Sequence, residues 1–176
     1  MSEQTETLAT FDPSSTCIGY ALGSSRDPIE FGRITPDRSR DPAITRIEAM
    51  RRDLRTWLAD HLPGRIRIEV PSGKVHGRKQ GVNMAGLSLY GVAVGMVLCE
   101  AWAHMESRGL GRDAVETVAE NVWTRGVRKQ SRQAWVAQCV PSYDPAKDKG
   151  GDASDAIGLL QDWFAIEAAQ KRRDAL

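Results

Sequence analysis

Hydrophobic positions change period along this chain, and the changes delimit its elements. Leu8, Ala9, Thr10 and Phe11 form a short apolar entry that ends at the turn Asp12-Pro13-Ser14-Ser15. Proline fixes φ there, and aspartate or serine bonds back to the local backbone. Cys17 to Leu22 suits a second strand, paired with the first as a hairpin. Pro28 to Thr35 predicts a third strand, with Ile29, Phe31 and Ile34 turned inward. Asp41-Pro42 offers an N-cap followed by proline at the first helical position. Ile44, Ile47, Leu54, Trp57 and Leu58 then recur at helical spacing as far as His61, and Pro63-Gly64 stops the helix. Arg65 to Val70 alternates as a strand, which leaves Glu69, like Asp12, near a strand end.

The second half is richer in helix. An uncharged helix is expected from Val82 to Met105, where Gly91 and Gly95 would let a neighbouring backbone approach closely. Ala114 to Trp123 reads as a strand with Val115, Val118 and Val122 as its buried positions. A short helix runs through Cys139, and a last helix starts at Asp152. Ile157, Leu159, Leu160, Trp163, Phe164 and Ile166 form its apolar side. Three strands, helix, strand, helix, strand, helix, helix is the order of an α/β protein: one mixed sheet with helices packed on it. The 176 residues are read as a single domain, 1–176.

Composition removes several options. The net charge of +1 gives no global pull toward nucleic acid or membrane, so any such signal is local. Cys17, Cys99 and Cys139 lie far apart without metal-ligand spacing and read as reduced packing residues of a cytoplasmic protein. The polar, acidic start MSEQTET is unlike a signal peptide. Gln80 to Cys99 carries no charge and is long enough to cross a bilayer. Its Gln80, Asn83, Ser88, Tyr90 and four glycines favour a buried helix instead. The five tryptophans read as core or interface residues, and no P-loop or serine-nucleophile motif is present.

The chemistry lies in acids and bases at particular places. Asp12 at a strand end could hold a divalent cation or merely close an Asx turn. Asp152 and Asp155 open the last helix three residues apart, so they share a face; they would equally serve as N-cap and capping-box partner. A cluster of such carboxylates raises its own pKa values unless a cation sits among them, and Mg²⁺ or Mn²⁺ suits hard oxygen donors. Two acid-free segments flank the acids. One holds Lys74, Arg78 and Lys79, with His76 between them; the other holds Arg125, Arg128, Lys129 and Arg132. They are either solvated loops or the cation patches that a phosphate backbone needs.

These residues together resemble RuvC-type Holliday junction resolvases, of the ribonuclease H-like nuclease superfamily. The family's first strand ends in D-P-G-S-x-x-x-G-Y; here stands Asp12-Pro-Ser-Ser-Thr-Cys-Ile-Gly19-Tyr20. Its later I-E is matched by Ile68-Glu69, its D-A-A-D-A by Asp152-Ala-Ser-Asp155-Ala, and its lysine stretch by Gly126-Val-Arg-Lys129-Gln-Ser. The resemblance implies a mixed five-stranded sheet flanked by helices, and a homodimer that hydrolyses phosphodiesters of four-way or other branched DNA with Mg²⁺. Asp12, Glu69, Asp152 and Asp155 would bind metal, and Lys129 would approach the scissile phosphate. Ser14 replaces the family's glycine, and Ser72 stands where an aromatic residue usually stacks on junction bases, as in a divergent, phage-type member. Competing readings are a ribonuclease H-like enzyme on other nucleic acids, a non-catalytic binding module, and an actin-like ATP-binding domain.

Overall fold

The computed structural model describes residues 7–36, 41–72 and 84–175. Strands β1 (Leu8–Pro13), β2 (Ile18–Gly23), β3 (Glu30–Ile34), β4 (Arg65–Val70) and β5 (Val115–Ala119) form one sheet in the order β3-β2-β1-β4-β5. The first three are antiparallel, whereas β1–β4 and β4–β5 are parallel. Helices α1 (Ala43–His61) and α2 (Met84–Ser107) provide the crossovers. Downstream of β5 come α3 (Glu120–Thr124), α4 (Lys129–Cys139) and α5 (Asp152–Asp174). The expected five-stranded ribonuclease H-like sheet with flanking helices is therefore the observed architecture.

Alternation along the strands sorts the layers. Ala9 and Phe11 of β1 and Ile66 and Ile68 of β4 join Met50, Leu54, Trp57, Val97 and Met105 in a core under α1 and α2. Leu8 of β1 packs instead with Val136, Ala153, Ile157 and Leu160 of α4 and α5. Thr10 faces the same way, donating its hydroxyl to the Ala156 carbonyl at 2.7 Å. Arg67 also reaches α5: its guanidinium donates to the Leu159 carbonyl at 3.2 Å and to Asp162 at 3.0 Å. By the same parity Asp12 and Glu69 belong to the α5 side. Phe11 and Ile68 are register partners, so the two acids lie one residue beyond a matched pair on adjacent strands.

Several local expectations are corrected. Pro42 itself holds the cap position of α1, and Ile44 and Ile29 are exposed. The stretch after Ala119 is not strand: Glu120–Thr124 forms α3, which turns Trp123 inward and Val122 out to solvent. Cys99 and Cys139 are exposed rather than packed, and Ile166 is exposed on α5. A Cβ at Gly91 or Gly95 would meet nothing within 4 Å, so no backbone among the described residues approaches there. The Val82 start predicted for α2 lies outside the described residues.

Ala85–Ser107 is the one described helix long and apolar enough to cross a membrane. Its Ala93, Val97, Ala101 and Met105 pack into the core. Glu100 of the same helix is buried and paired with Arg51 at 2.7 Å and Arg55 at 2.8 Å, an arrangement suited to packing against α1.

Candidate functional site

The N-terminus of α5 meets the β1–β2 hairpin at Gly19, the register partner of Asp12. A Cβ on Gly19 would land inside the Asp152 carbonyl group and 3.0 Å from the Ala153 nitrogen. Absence of a side chain is what lets the helix start dock beside Asp12. The hairpin turn is tied locally, with Ser14 Oγ donating to the Cys17 carbonyl at 2.9 Å and accepting from its N–H at 3.0 Å.

Asp152 and Asp155 are not the caps of α5. Gly151 occupies the N-cap in the left-handed region, φ 73°, without a side-chain cap bond. The first-turn N–H groups of Ala153 and Ser154 donate instead to the carboxylate of Asp148, at 3.3 and 2.9 Å. Tyr143 donates its hydroxyl to Asp148 at 2.9 Å and holds it in place. The orphan donors of the helix start are thus satisfied from outside, and the two α5 carboxylates are left for something else.

Asp12, Glu69, Asp152 and Asp155 line one cleft of about 630 Å³, together with Ser72, Tyr90, Glu120, Arg128, Lys129 and Arg132. Three of the acids have a donor of their own. The Trp123 indole donates to Glu69 Oε2 at 2.6 Å. The Cys17 thiol donates to Asp152 Oδ2 at 2.9 Å. Arg132 donates from Nε and Nη2 to the two oxygens of Asp155, at 2.8 and 2.9 Å, a buried bidentate pair. Lys129 Nζ bridges the α5 acids, 3.5 Å from Asp152 and 3.1 Å from Asp155.

Electrostatics follow from this crowding. Burial, then the charges of Glu69 and Asp155, push the Asp12 carboxyl well above the usual carboxylate range, with Lys129 opposing. Burial drives Glu69 up to about 7; the Trp123 bond opposes this and Asp155 adds to it. The Cys17 thiol is pushed up to about 12 by burial and by Asp152, so it is a protonated donor at neutral pH. Burial acts against the charged form of Lys129, yet Asp155, Asp12 and Asp152 raise it above the ordinary lysine range.

Donor chemistry fits a hard divalent cation: carboxylate oxygens, two of them on acids that resist ionising until positive charge arrives. Among the described residues no three His, Cys, Asp or Glu side chains already converge as a metal site. Lys129 and Arg132 neutralise the α5 acids from within. Of the predicted basic residues, Arg128 lies on the cleft wall, whereas Arg125 points away, 76% exposed and 3.7 Å from Asp162. Lys74, His76, Arg78 and Lys79 fall outside the described residues.

Trp123 and Cys17, expected as core and packing residues, contribute donors to the site, and Arg132, expected in a phosphate-binding cation patch, is buried and committed to Asp155 instead; Asp148 adds the helix cap. Trp123 has the clearest local signature. Its ring lies over Gly158 of α5, where a Cβ would meet it at 2.8 Å, and beneath the Arg132 guanidinium at 5.2 Å.

No protein-family model and no curated protein sequence matches the chain. Solved structures do. Sheet order, crossovers and the packing of α5 define a ribonuclease H-like fold of RuvC type. The structure of T. thermophilus RuvC in complex with Holliday junction substrate superposes with TM-score 0.62 at 13% identity, over 93% of this chain and 96% of that one. A second Thermus thermophilus RuvC structure gives 0.59 at the same identity and coverage.

Proposed function

We propose that this chain is a divalent-metal-dependent endonuclease of branched DNA, four-way junctions above all, working as a homodimer. The observation that carries the reading is the gathering of Asp12, Glu69, Asp152 and Asp155 from two strands and a helix start into one cleft. Buried like charges oppose folding, so their assembly needs a reason outside stability. Asp12, Glu69, Asp152 and Asp155 would hold Mg²⁺ or Mn²⁺. When bound there, the metal supplies water activation and neutralises charge building on a phosphodiester. Lys129 and Arg128 place a phosphate over the acids. As the Lys129 ammonium turns to that phosphate it releases Asp152 and Asp155. Branched DNA as the substrate class is supported by the neighbour solved on a Holliday junction.

A panel of labelled four-way junction, flap, duplex and RNA–DNA hybrid tests this. With Mg²⁺ the junction should be cut in preference, leaving 5′-phosphate and 3′-hydroxyl ends, and EDTA should stop it. Preferential cutting of the hybrid would assign a ribonuclease H-type activity. Junction binding with no cleavage in Mn²⁺ would make the protein a binding module.

The dimer reading rests on α2. Leu87 and Val92 are exposed there, and Gly91 and Gly95 leave the surface beside them open. Leu87, Gly91 and Gly95 recur every four residues and share one stripe. Exposed apolar stripes of this kind mark contact surfaces. Sedimentation should report a mass twice that of the chain, and Leu87→Glu should shift it toward the monomer.

A further inference from the structure

Beside the acidic cleft lies a second cavity of about 640 Å³, between α4 and α5. Thr124, Val127 and Arg132 line both, so the two spaces share a wall. Trp123 and Gly158 line the second one, and the glycine is what leaves room for the indole against α5. Trp135 of α4 lines it too and is 47% exposed, an unusual place for the largest apolar side chain. Gln161 contributes a buried carboxamide whose oxygen has no hydrogen-bond partner. Arg125 also lines this cavity, with its side chain largely in solvent.

We infer that this cavity receives one unstacked nucleobase from the strand whose phosphates lie in the cleft. The inference rests on the nucleic-acid reading above and adds a base subsite to it. The size falls within the range of small-ligand sites, and Trp123, Val127, Trp135, Val136 and Ala165 give it apolar walls between polar side chains. An exposed indole stacks on any base, because every base has a π-face. Gln161 lines the cavity and its buried Oε1 has no hydrogen-bond partner, so a turn of that carboxamide toward a base edge would satisfy it. Arg125 on this cavity and Arg128 and Lys129 on the cleft set cations on both sides of the shared wall, where a sugar–phosphate chain would cross, although Asp27 and Asp162 also line the cavity and Asp162 lies 3.7 Å from Arg125.

The test is junction binding in EDTA, read by fluorescence anisotropy, with one abasic site moved through the nucleotides that flank the crossover. At one position, removing the base should weaken wild-type binding about tenfold or more. Trp135→Ala should weaken binding of intact DNA by a similar factor and should be indifferent to the abasic site at that position. Trp135→Phe should restore both the affinity and the sensitivity. Since Trp135 is half exposed, circular dichroism of the alanine variant should match the parent. Equal loss by Trp135→Ala on intact and abasic junctions, or no sensitive position at all, would overturn the base subsite while leaving the nuclease reading standing. Failure of the wild type to bind junction DNA more tightly than duplex would remove both.

Discussion

Glu69→Gln should abolish cutting and, in EDTA at pH 8, make the protein more stable than the parent. The two effects have one cause. Glu69 is 5% exposed, and burial lifts its carboxyl from 4.5 to about 7. Between those values the folded state holds a proton that the unfolded state has released. The Glu69 contribution to the stability of the metal-free protein therefore falls as pH rises from about 4.5 to 7, and levels off above. At 1.36 kcal/mol per unit, the loss is about 3 kcal/mol. Glutamine has no charge to bury, and its side-chain oxygen still accepts the Trp123 N–H, so the variant should miss that loss. Thermal unfolding in EDTA at pH 5 and pH 8 measures it: parent and variant should agree at pH 5 and separate at pH 8. Cleavage should fall by at least about a hundredfold, since even groups that only support a metal ligand are worth 10- to 100-fold. A variant that cuts normally would remove Glu69 from the site; one with the parent's pH profile would mean that Glu69 is not held ionised against burial.

The frame of the site was legible because it depends on period and parity. Alternation in Arg65 to Val70 puts Ile66 and Ile68 on one face and Glu69 on the other, whichever residues lie across from them. The Asp152–Asp155 spacing likewise fixes a common helix face. What stayed hidden is whatever depends on partners remote in sequence. Cys17 and Asp152 are 135 positions apart, and nothing local to Cys17 separates a packing thiol from a carboxylate donor. The sequence predicts a strand through Trp123, because Val118, Val122 and the indole have strand propensities. Tertiary context overrides these, since a helical turn over Glu120–Thr124 is what carries the indole to Glu69. In a run of four cations Arg132 reads as a solvated or phosphate-binding residue; only the fold reveals that both oxygens of Asp155 bind it. Asp148 carries no local cap signature, because it lies four residues before Asp152, where the helix begins.

Gly19→Ala should damage the site more than any other single-methyl change. At most positions an added methyl meets a side chain that can turn away. At Gly19 it meets the backbone of Asp152 and Ala153, in the first turn of a helix buried along most of its first half. Neither β2, hydrogen-bonded between β1 and β3, nor α5 can yield locally. The start of α5 must therefore back away from Asp12, carrying Asp152 and Asp155 with it. Overpacking of this kind destabilises by about 1–3 kcal/mol, which a thermal melt would register. A misplacement on the order of 1 Å at a reacting centre lowers rate by about a hundredfold. Cleavage well below the melting temperature should therefore fall much further than the loss of stability accounts for. Gly111→Ala is the matched control, because a Cβ there meets nothing nearer than 3.9 Å. Full cutting activity in Gly19→Ala would show that the acids of α5 need not stand beside Asp12, and the four-carboxylate centre would fail with it.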